Sequence, residues 1–227
     1  AAPEAPGRPH CYPCSAMLDH LLKFFVTFLV VVEPVGVIPI FIALTEGNTE
    51  LERRRMARKG VLIAGLIFLL FAVGGRLFLS TLGISLDAFR IFGGLLLFLI
   101  ALEMVFARES GSRTSSREQE EGKQKTDISV FPLAFPFIAG PGSLATILLA
   151  FGAASGEPLV FTGLLACVLV ALVCVLFTLY LASPLMKLMG VTGANVVNRL
   201  FGVVLGALAV QYVIDGVRAS LLPVVPG

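Results

Sequence analysis

Six long apolar stretches separated by polar segments dominate this chain of 227 residues. Each stretch exceeds the roughly 20 apolar residues that a helix needs to cross a bilayer. Because lipid offers the backbone no hydrogen-bond partners, each stretch is predicted to be a helix. The predicted spans cover residues 21–44, 56–82, 86–107, 128–154, 159–181 and 195–222. The predicted fold class is therefore an all-α membrane protein with six transmembrane helices.

Polar sequence divides the six spans into two groups of three. A polar tail, 1–20, precedes the first span, and a segment rich in Ser, Arg, Glu and Gln, 108–126, separates the third span from the fourth. Such a composition is typical of a linker rather than of a packed core. We therefore divide the chain into the N-terminal tail, a first transmembrane repeat at 21–107, a cytoplasmic linker at 108–126 and a second transmembrane repeat at 127–227.

Two pairs of short motifs recur at nearly the same spacing. Arg90-Ile91-Phe92-Gly93 reappears as Arg199-Leu200-Phe201-Gly202 after 109 residues, and Glu33-Pro34-Val35-Gly36 corresponds to Gly140-Pro141-Gly142-Ser143 after 107 residues. Three spans is an odd number, so the second copy must lie inverted in the membrane. Inverted repeats with helices broken near the middle of the membrane are common in secondary transporters. The sequence therefore predicts two inverted three-helix repeats with helices 1 and 4 broken.

Basic residues lie mainly on one side of the predicted spans. Positive charge in short loops stays cytoplasmic. We therefore predict a multi-pass protein of the plasma (inner) membrane with both termini outside. Eleven basic residues define the cytoplasmic side: Arg53, Arg54, Arg55, Arg58, Lys59, Arg108, Arg113, Arg117, Lys123, Lys125 and Lys187. The opposite side carries Arg8, Lys23 and Arg218.

The composition agrees with a membrane protein and argues against a nucleic-acid partner. Hydrophobic residues make up 57% of the chain and charged residues 14%, whereas a soluble domain carries about 25% charged residues. The net charge is +2, and the basic residues fall in loops rather than along one face, so we expect no nucleic-acid binding. The lipid bilayer is the expected partner, and a homo-oligomer is left open.

A break is predicted in the middle of the first span. Pro34 removes a backbone donor and clashes with the preceding turn, and Gly36 and Pro39 loosen the next turn. The freed carbonyl groups are tolerated at this depth only against protein or a watery cavity. Such a cavity suits a small polar substrate, so we predict that Glu33, Pro34, Gly36 and Pro39 contribute to a substrate site. A simple proline kink is the alternative.

The fourth span has an equivalent break at Pro141. Gly140 and Gly142 flank this proline, and Ser143 and Thr146 follow just beyond it. The half-helix that begins there points free N–H groups and the positive end of its dipole at the break. That arrangement binds anions. We therefore predict that these five residues complete the substrate site and receive a carboxylate.

Glu33 is the one acidic residue near the middle of a predicted span. A charge there costs about 2.5 kcal/mol or more on insertion scales, so the carboxyl group should be protonated, paired or in contact with water. It could carry a proton, or it could bind the ammonium group of a substrate. The structural alternative is a carboxyl group that only bonds the backbone freed by Pro34.

Arg90 and Arg199 occupy equivalent places near opposite membrane faces. Each could extend its charge to the surface, but the duplicated motif indicates a shared role. We group both arginines with Gln211 and Asp215 as a predicted gating or ion-pair set. The other polar candidates are the acids Asp87 and Glu103 and the amides Asn195 and Asn198, which could line the cavity or bond between helices.

The four cysteines do not predict a cofactor. Cys11 and Cys14 form a C-x-x-C in the polar tail, which is a weak redox signal outside a βαβ unit. Cys167 and Cys174 are seven residues apart in the fifth span and share a helix face. A membrane thiol–disulfide relay needs one cysteine in each half, so it stays an alternative only. The chain contains no hydrolase, metalloprotease or P-loop motif, and we expect no enzyme activity, cofactor or metal.

Both breaks resemble signatures of a known family. Glu33-Pro34-Val35-Gly36, continued by Pro39, is similar to the Asp/Asn/Glu-Pro-x-Gly-x-x-Pro motif in the first span of MarC proteins. The stretch from Pro136 to Gly142 resembles their second signature, P-x-x-A-G-P-G. The resemblance covers residues 21–222, which include all six spans.

This resemblance implies a six-helix inner-membrane protein of bacteria or archaea. The family was once linked to antibiotic resistance and is often grouped with LysE-type exporters. Some relatives are described as transporters of small neutral amino acids such as glycine and alanine. The resemblance extends, residue by residue, to Glu33, Pro34, Gly36, Pro39, Gly140, Pro141, Gly142 and Ser143. Many relatives have Asp or Asn in place of Glu33, so the longer side chain could change which ion binds there.

The expected function is secondary transport of small neutral solutes by alternating access, with glycine or alanine as the expected substrates. The substrate carboxylate would lie near Ser143 and its ammonium group near Glu33. One three-helix unit would rock against the other, and the coupling ion would be H+ or Na+. The alternatives are a thiol–disulfide relay and a non-transporting scaffold or channel.

Overall fold

The computed structural model describes residues 14–106, 127–154 and 156–221. The predicted linker, 108–126, and Cys11 lie outside these ranges. The described ranges contain seven helices: α1 (Cys14–Val32), α2 (Val37–Leu44), α3 (Glu50–Thr81), α4 (Leu86–Phe106), α5 (Pro141–Ala153), α6 (Pro158–Tyr180) and α7 (Ala182–Leu221).

The described helices provide four candidate membrane spans, or six if each bent pair counts as one span. α3, α4, α6 and the Thr192–Leu221 part of α7 are each long and apolar enough to cross a membrane. Two more spans are bent pairs, α1 with α2 at 40° and the segment Ser129–Ile138 with α5 at 60°. Counting each pair as one span gives six. The predicted all-α membrane fold with breaks in helices 1 and 4 is confirmed.

Three helices begin before the predicted starts of their spans at 21, 56 and 195: α1 at Cys14, α3 at Glu50 and α7 at Ala182. The start of α3 is fixed by a capping box, in which the backbone N–H of Thr49 donates to Glu52 Oε2 at 2.8 Å and that of Glu52 donates to Thr49 Oγ1 at 3.4 Å. In α7, Gly190 has a φ of 64° and interrupts the helix before its membrane-spanning part. Apolar length alone therefore underestimates helix length where caps and polar turns continue a helix outside the lipid.

The first half of the fourth span is not a regular helix, which corrects the helix expected from residue 128 onward. We call Ser129–Ile138 the proline segment. Two of its residues have extended backbone: Phe131, with φ −132° and ψ 127°, and Phe135, with φ −131° and ψ 128°. Each precedes a proline, which disfavours helical backbone in the residue before it. Pro132 and Pro136 also lack the N–H that a helix would use. The span is therefore irregular well before its predicted break.

An ion pair fixes the start of the proline segment to α3. Lys59 Nζ contacts Asp127 Oδ2, and the backbone N–H of Ser129 donates to Asp127 Oδ1 at 2.9 Å. The hydrogen bond from Lys59, followed by those from Ser129, lowers the pKa of Asp127 from 3.8 to about 2. The ionised carboxylate is therefore the form that the fold favours.

We expect Asp127→Asn to remove a pH-dependent part of the stability. Because the folded pKa is about 2 and the ordinary one is 3.8, the carboxylate stabilises the fold above about pH 4, and this stabilisation is lost as the pH falls toward 2. Both side chains are about half exposed, so the pair contributes on the order of 0.5 kcal/mol. Melting temperatures of wild type and variant in detergent should converge as the buffer is acidified from about pH 6 to about pH 2.5. A gap that stays constant across this range would contradict the assignment.

Buried apolar side chains form two clusters on different helices. The first draws mainly on α1, α2, α3, the proline segment, α5 and α6. The second joins α4 and α7, together with Val30 and Val31 of α1. The boundary between the clusters therefore passes beside the end of α1, immediately before the first break.

α4 and α7 form a tight antiparallel pair in which glycines allow the backbones to meet. A β-carbon on Gly94 would lie 2.8 Å from the carbonyl oxygen of Ala209, and one on Gly202 would lie 3.1 Å from that of Ala101. Small residues commonly permit such close approach between membrane helices. The α4–α7 pair is therefore one packing unit.

The two predicted repeats interlock and do not pack as separate units. α3 packs against the proline segment, α5 and α6, while α1 packs against α6. α4 pairs with α7, and α2 also lies against α7. The main helix contacts in the described ranges thus cross from the first half of the chain to the second. This packing does not suit the expected rocking of one intact half against the other.

Candidate functional site

The first break is built around a strained backbone at Glu33, which directly follows α1. Its φ is 56°, and no other described residue except glycine has a positive φ. The left-handed conformation costs a non-glycine residue about 1–2 kcal/mol. The backbone N–H of Val37 donates to the Glu33 carbonyl at 3.3 Å, which connects the break to α2. Strain of this kind persists where the surroundings impose it, and it concentrates at functional sites.

The side chains of Glu33 and of Asn198 on α7 both lie against Gly36 in the break. Glu33 is only 2% exposed. A β-carbon on Gly36 would lie 2.6 Å from Glu33 Oε1 and 2.9 Å from Asn198 Oδ1, so glycine is needed there for the two side chains to approach. Asn198 Oδ1 is buried and has no hydrogen-bond partner among the described residues. The first break thus joins one polar residue from each half of the chain.

This pair can accommodate both protonation states of a carboxyl group. A protonated Glu33 can donate to a carbonyl oxygen such as Asn198 Oδ1, whereas a carboxylate only accepts. Rotation of the Asn198 amide would present its NH2 group, a donor, to the carboxylate. An amide that can turn in this way suits a group that gains and loses a proton.

In the second break, two hydroxyl groups bond backbone carbonyls at and just before the start of α5. Ser143 Oγ lies 3.0 Å from the carbonyl oxygen of Ile138 and 2.9 Å from that of Gly140, and it donates its one proton to either. Thr146 Oγ1 donates to the Gly142 carbonyl at 3.0 Å. Both hydroxyl groups are buried. Both hydroxyl groups therefore bond the backbone around the break.

The second break and the end of α1 adjoin one small cavity, which none of the predicted site residues of the first break lines. It is lined by Val31, Ile100, Phe137 and the four residues 140–143, and its volume is about 10 Å³. That volume holds about one water molecule, so the cavity is closed to an amino acid in this conformation. The sequence pattern identified Gly140 to Ser143 but gave no signal for the three apolar residues, which come from three different elements.

Part of the predicted gating set gathers at one end of the α4–α7 pair. Arg90 Nη1 lies 3.6 Å from Asp87 Oδ1, and Gln211 Nε2 donates to Asp215 Oδ1 at 2.8 Å. Arg90 and Asp215 both act electrostatically on Tyr212, which places them near each other. The two helices approach closely at this end, because a β-carbon on Gly216 of α7 would lie 3.1 Å from the carbonyl oxygen of Asp87 on α4.

Neither predicted arginine lines the cavity at the second break, although Arg199 directly follows Asn198, which lies at the first break. Arg199 is exposed, and it lies toward the opposite end of the pair, near the contact of Gly202 with Ala101. The second break faces the middle of α4, because a β-carbon on Gly142 would lie 2.9 Å from Leu97 Cδ2. Arg90 is seven residues from Leu97, which is about 10 Å along a helix. A gating role for the arginines therefore stays a prediction about the ends of the α4–α7 pair.

The membrane cysteines do not form a redox pair. Cys167 and Cys174 are free thiols on α6, and seven residues of helix separate them by about 10 Å. A disulfide needs α-carbons within about 7 Å of each other. The thiol–disulfide relay therefore gains no support from their arrangement.

Comparison with known proteins places the chain in one family. The profile of the MarC family integral membrane proteins matches residues 18–221. A UPF0056 membrane protein of Methanocaldococcus jannaschii is 37% identical over 205 residues, which are 90% of this chain and 99% of the relative. UPF0056 membrane protein YvbG of Bacillus subtilis is 34% identical over 92% of this chain and 98% of its own length.

A third relative, UPF0056 membrane protein YhcE of Escherichia coli, is 32% identical over 86% of this chain and 91% of its own length. None of these names states a substrate. No solved structure is significantly similar to the chain. The family profile extends over all six spans and both breaks, and the relatives match over nearly their whole length. The chain therefore belongs to the MarC family of integral membrane proteins.

Proposed function

We propose that this protein is a secondary transporter of small neutral solutes, with amino acids such as glycine or alanine as substrates. The observation that carries the proposal is the meeting of two broken spans at one cavity, between Val31 of the first span and residues 140–143 of the fourth. Non-helical backbone at membrane depth is tolerated where it lines a cavity or is buried in protein. Secondary transporters commonly bind substrates at such paired breaks.

The chemistry of the breaks suits a zwitterion. Gly142 and Ser143, at the start of α5, line the cavity, and the free backbone N–H groups of a helix N-terminus favour a carboxylate. Glu33 lies two residues beyond Val31, which lines the same cavity, and its carboxylate would attract an ammonium group. Val31, Ile100 and Phe137 leave little room for a side chain, which favours glycine or alanine over larger amino acids.

Transport requires the closed cavity to open, and the two apolar clusters indicate which bodies move. Asn198 and Ile100 belong to the α4–α7 unit, whereas Gly36 and residues 140–143 belong to helices of the other cluster. The site thus lies on the boundary between the two bodies. We propose alternating access by movement of the α4–α7 unit against the remaining helices, with H+ or Na+ as the coupling ion at Glu33.

Counterflow tests the proposal. Proteoliposomes preloaded with unlabelled alanine should transiently accumulate labelled alanine from outside, because a carrier exchanges substrates through one site, whereas a channel does not concentrate label. Glycine should compete, and leucine should not, because the cavity between Val31, Ile100 and Phe137 is narrow. Absence of counterflow across a panel of neutral amino acids would refute the amino-acid proposal. Label uptake without a transient maximum would indicate a channel instead.

A further inference from the structure

An apolar groove of about 570 Å³ runs along the membrane-facing side of the protein between α3 and α6. Its walls are exposed leucines, among them Leu66 at 67% and Leu169 at 63% exposure. Its floor includes Ile147 and Phe151 of α5. Gly65 helps to keep it open, because a β-carbon there would lie 3.1 Å from Leu172 Cδ1. Three helices, α3, α5 and α6, therefore form the groove.

One end of this groove is charged. Arg58 is the only charged residue among those that line it within the described ranges. α3 and α6 run antiparallel, because Gly65 meets Leu172 while the Arg54 guanidinium lies 5.9 Å from the ring centre of Tyr180. α3 has 32 residues, about 48 Å at 1.5 Å per residue, which exceeds a hydrocarbon core of about 30 Å. The first turns of α3 thus extend out of the hydrocarbon, and Arg58 lies near its boundary.

Three of the four neighbouring basic residues have partners, whereas Arg55 and Arg58 have none among the described residues. Arg53 Nη2 donates to the Thr45 carbonyl at 3.1 Å, and Arg54 lies 4.0 Å from Glu50. Lys59 pairs with Asp127. The charge of Arg58 is therefore available to a ligand at the mouth of the groove.

We propose that the groove binds an anionic phospholipid, whose phosphate contacts Arg58 and whose acyl chain lies along α3 toward Ala72. Ala72 lies fourteen positions beyond Arg58, which is about 21 Å of helix and covers the depth of one leaflet, about 15 Å. Basic pockets between membrane helices bind anionic head groups in this way. A second copy of the chain fits less well, because the same end of α3 carries Arg54 and Arg55 as well as Arg58 and would bring positive charge to positive charge.

The head-group contact can be tested by native mass spectrometry of the full chain in detergent with added dioleoylphosphatidylglycerol or dioleoylphosphatidylcholine. Wild type should retain one phosphatidylglycerol in preference to phosphatidylcholine. Arg58→Gln should weaken retention of phosphatidylglycerol about fivefold, which is the effect of one basic residue at a membrane surface. Arg55→Gln is the matched control, because Arg55 is exposed but does not line the groove. This variant should retain as much phosphatidylglycerol as wild type.

The acyl-chain contact is tested by filling the groove. Leu169→Trp should lower retention of both lipids, whereas Val170→Trp, an exposed neighbour outside the groove, should not. Equal retention of the two lipids by wild type would overturn the proposal, as would equal losses in Arg58→Gln and Arg55→Gln. A change in the dimer fraction of Leu169→Trp with unchanged lipid retention would assign the groove to a second copy and overturn it as well.

Discussion

Replacing Glu33 with glutamine is expected to abolish solute accumulation driven by a pH gradient in proteoliposomes. Glutamine has nearly the size of glutamate, so the contact with Gly36 and Asn198 can be kept, but it cannot take up or release a proton. A gradient of one pH unit can concentrate a proton-coupled solute about tenfold, because one unit corresponds to about 1.4 kcal/mol. The variant should instead level off at equal concentrations inside and outside.

Glu103→Gln is the matched control for this experiment. Glu103 also lies within a span, on α4, but it belongs to neither break and is less deeply buried than Glu33. The same substitution there should leave accumulation at the level of wild type. Melting temperatures of all three proteins should agree closely if the fold is intact.

Counterflow separates the two roles considered for Glu33. Exchange of labelled for unlabelled alanine needs no net proton movement, so Glu33→Gln should keep part of it if the carboxyl group carries only the proton. Counterflow would be lost if the carboxylate also holds the substrate ammonium. Undiminished accumulation in the variant under both a pH and a Na+ gradient would show that Glu33 only supports the backbone at the break.

The six spans and both breaks were predictable because their signals are local. A run of about 20 apolar residues predicts a membrane helix, and Pro34 or the Gly140-Pro141-Gly142 triplet predicts an interruption. The irregular proline segment had a local signal too, since two Phe-Pro pairs four residues apart exclude helical backbone at Phe131 and Phe135. Hydrophobicity alone masked it, because that segment is as apolar as a helix.

The composition of the site was harder to predict because it depends on contacts between distant parts of the chain. Gly36 has a local signal as a helix breaker, but its role in leaving space for Glu33 and Asn198 follows from the packing of α7 against α2. The internal repeat also gave no indication that the halves interlock. Sequence similarity between the halves specifies equivalent helices, whereas side-chain shape decides which helices they pack against.

Alanine at Gly140 is expected to disrupt the second break and to eliminate counterflow. A β-carbon there would lie 2.5 Å from the carbonyl oxygen of Pro136, and a backbone atom cannot turn aside as a side chain can. Relief requires a shift of α5 away from the proline segment, which would strain the bonds of Ser143 to the Ile138 and Gly140 carbonyls. We expect a loss of about 1–3 kcal/mol, the range for an overpacked core, measured as a lower melting temperature in detergent.

Two further glycine variants distinguish loss of fold from loss of the cavity. Gly74→Ala adds a β-carbon that meets nothing within 4 Å, so helix propensity should stabilise α3 by up to about 1 kcal/mol and leave transport unchanged. Gly142→Ala places a methyl group 2.9 Å from Leu97 Cδ2 and 3.0 Å from Ile100 Cδ1. Those side-chain ends can move, so this variant should melt near wild type and yet transport poorly, because the methyl group occupies the cavity. If Gly140→Ala instead melts and transports like Gly74→Ala, the close approach of α5 to the proline segment is not required, and the paired breaks lose their place in the mechanism.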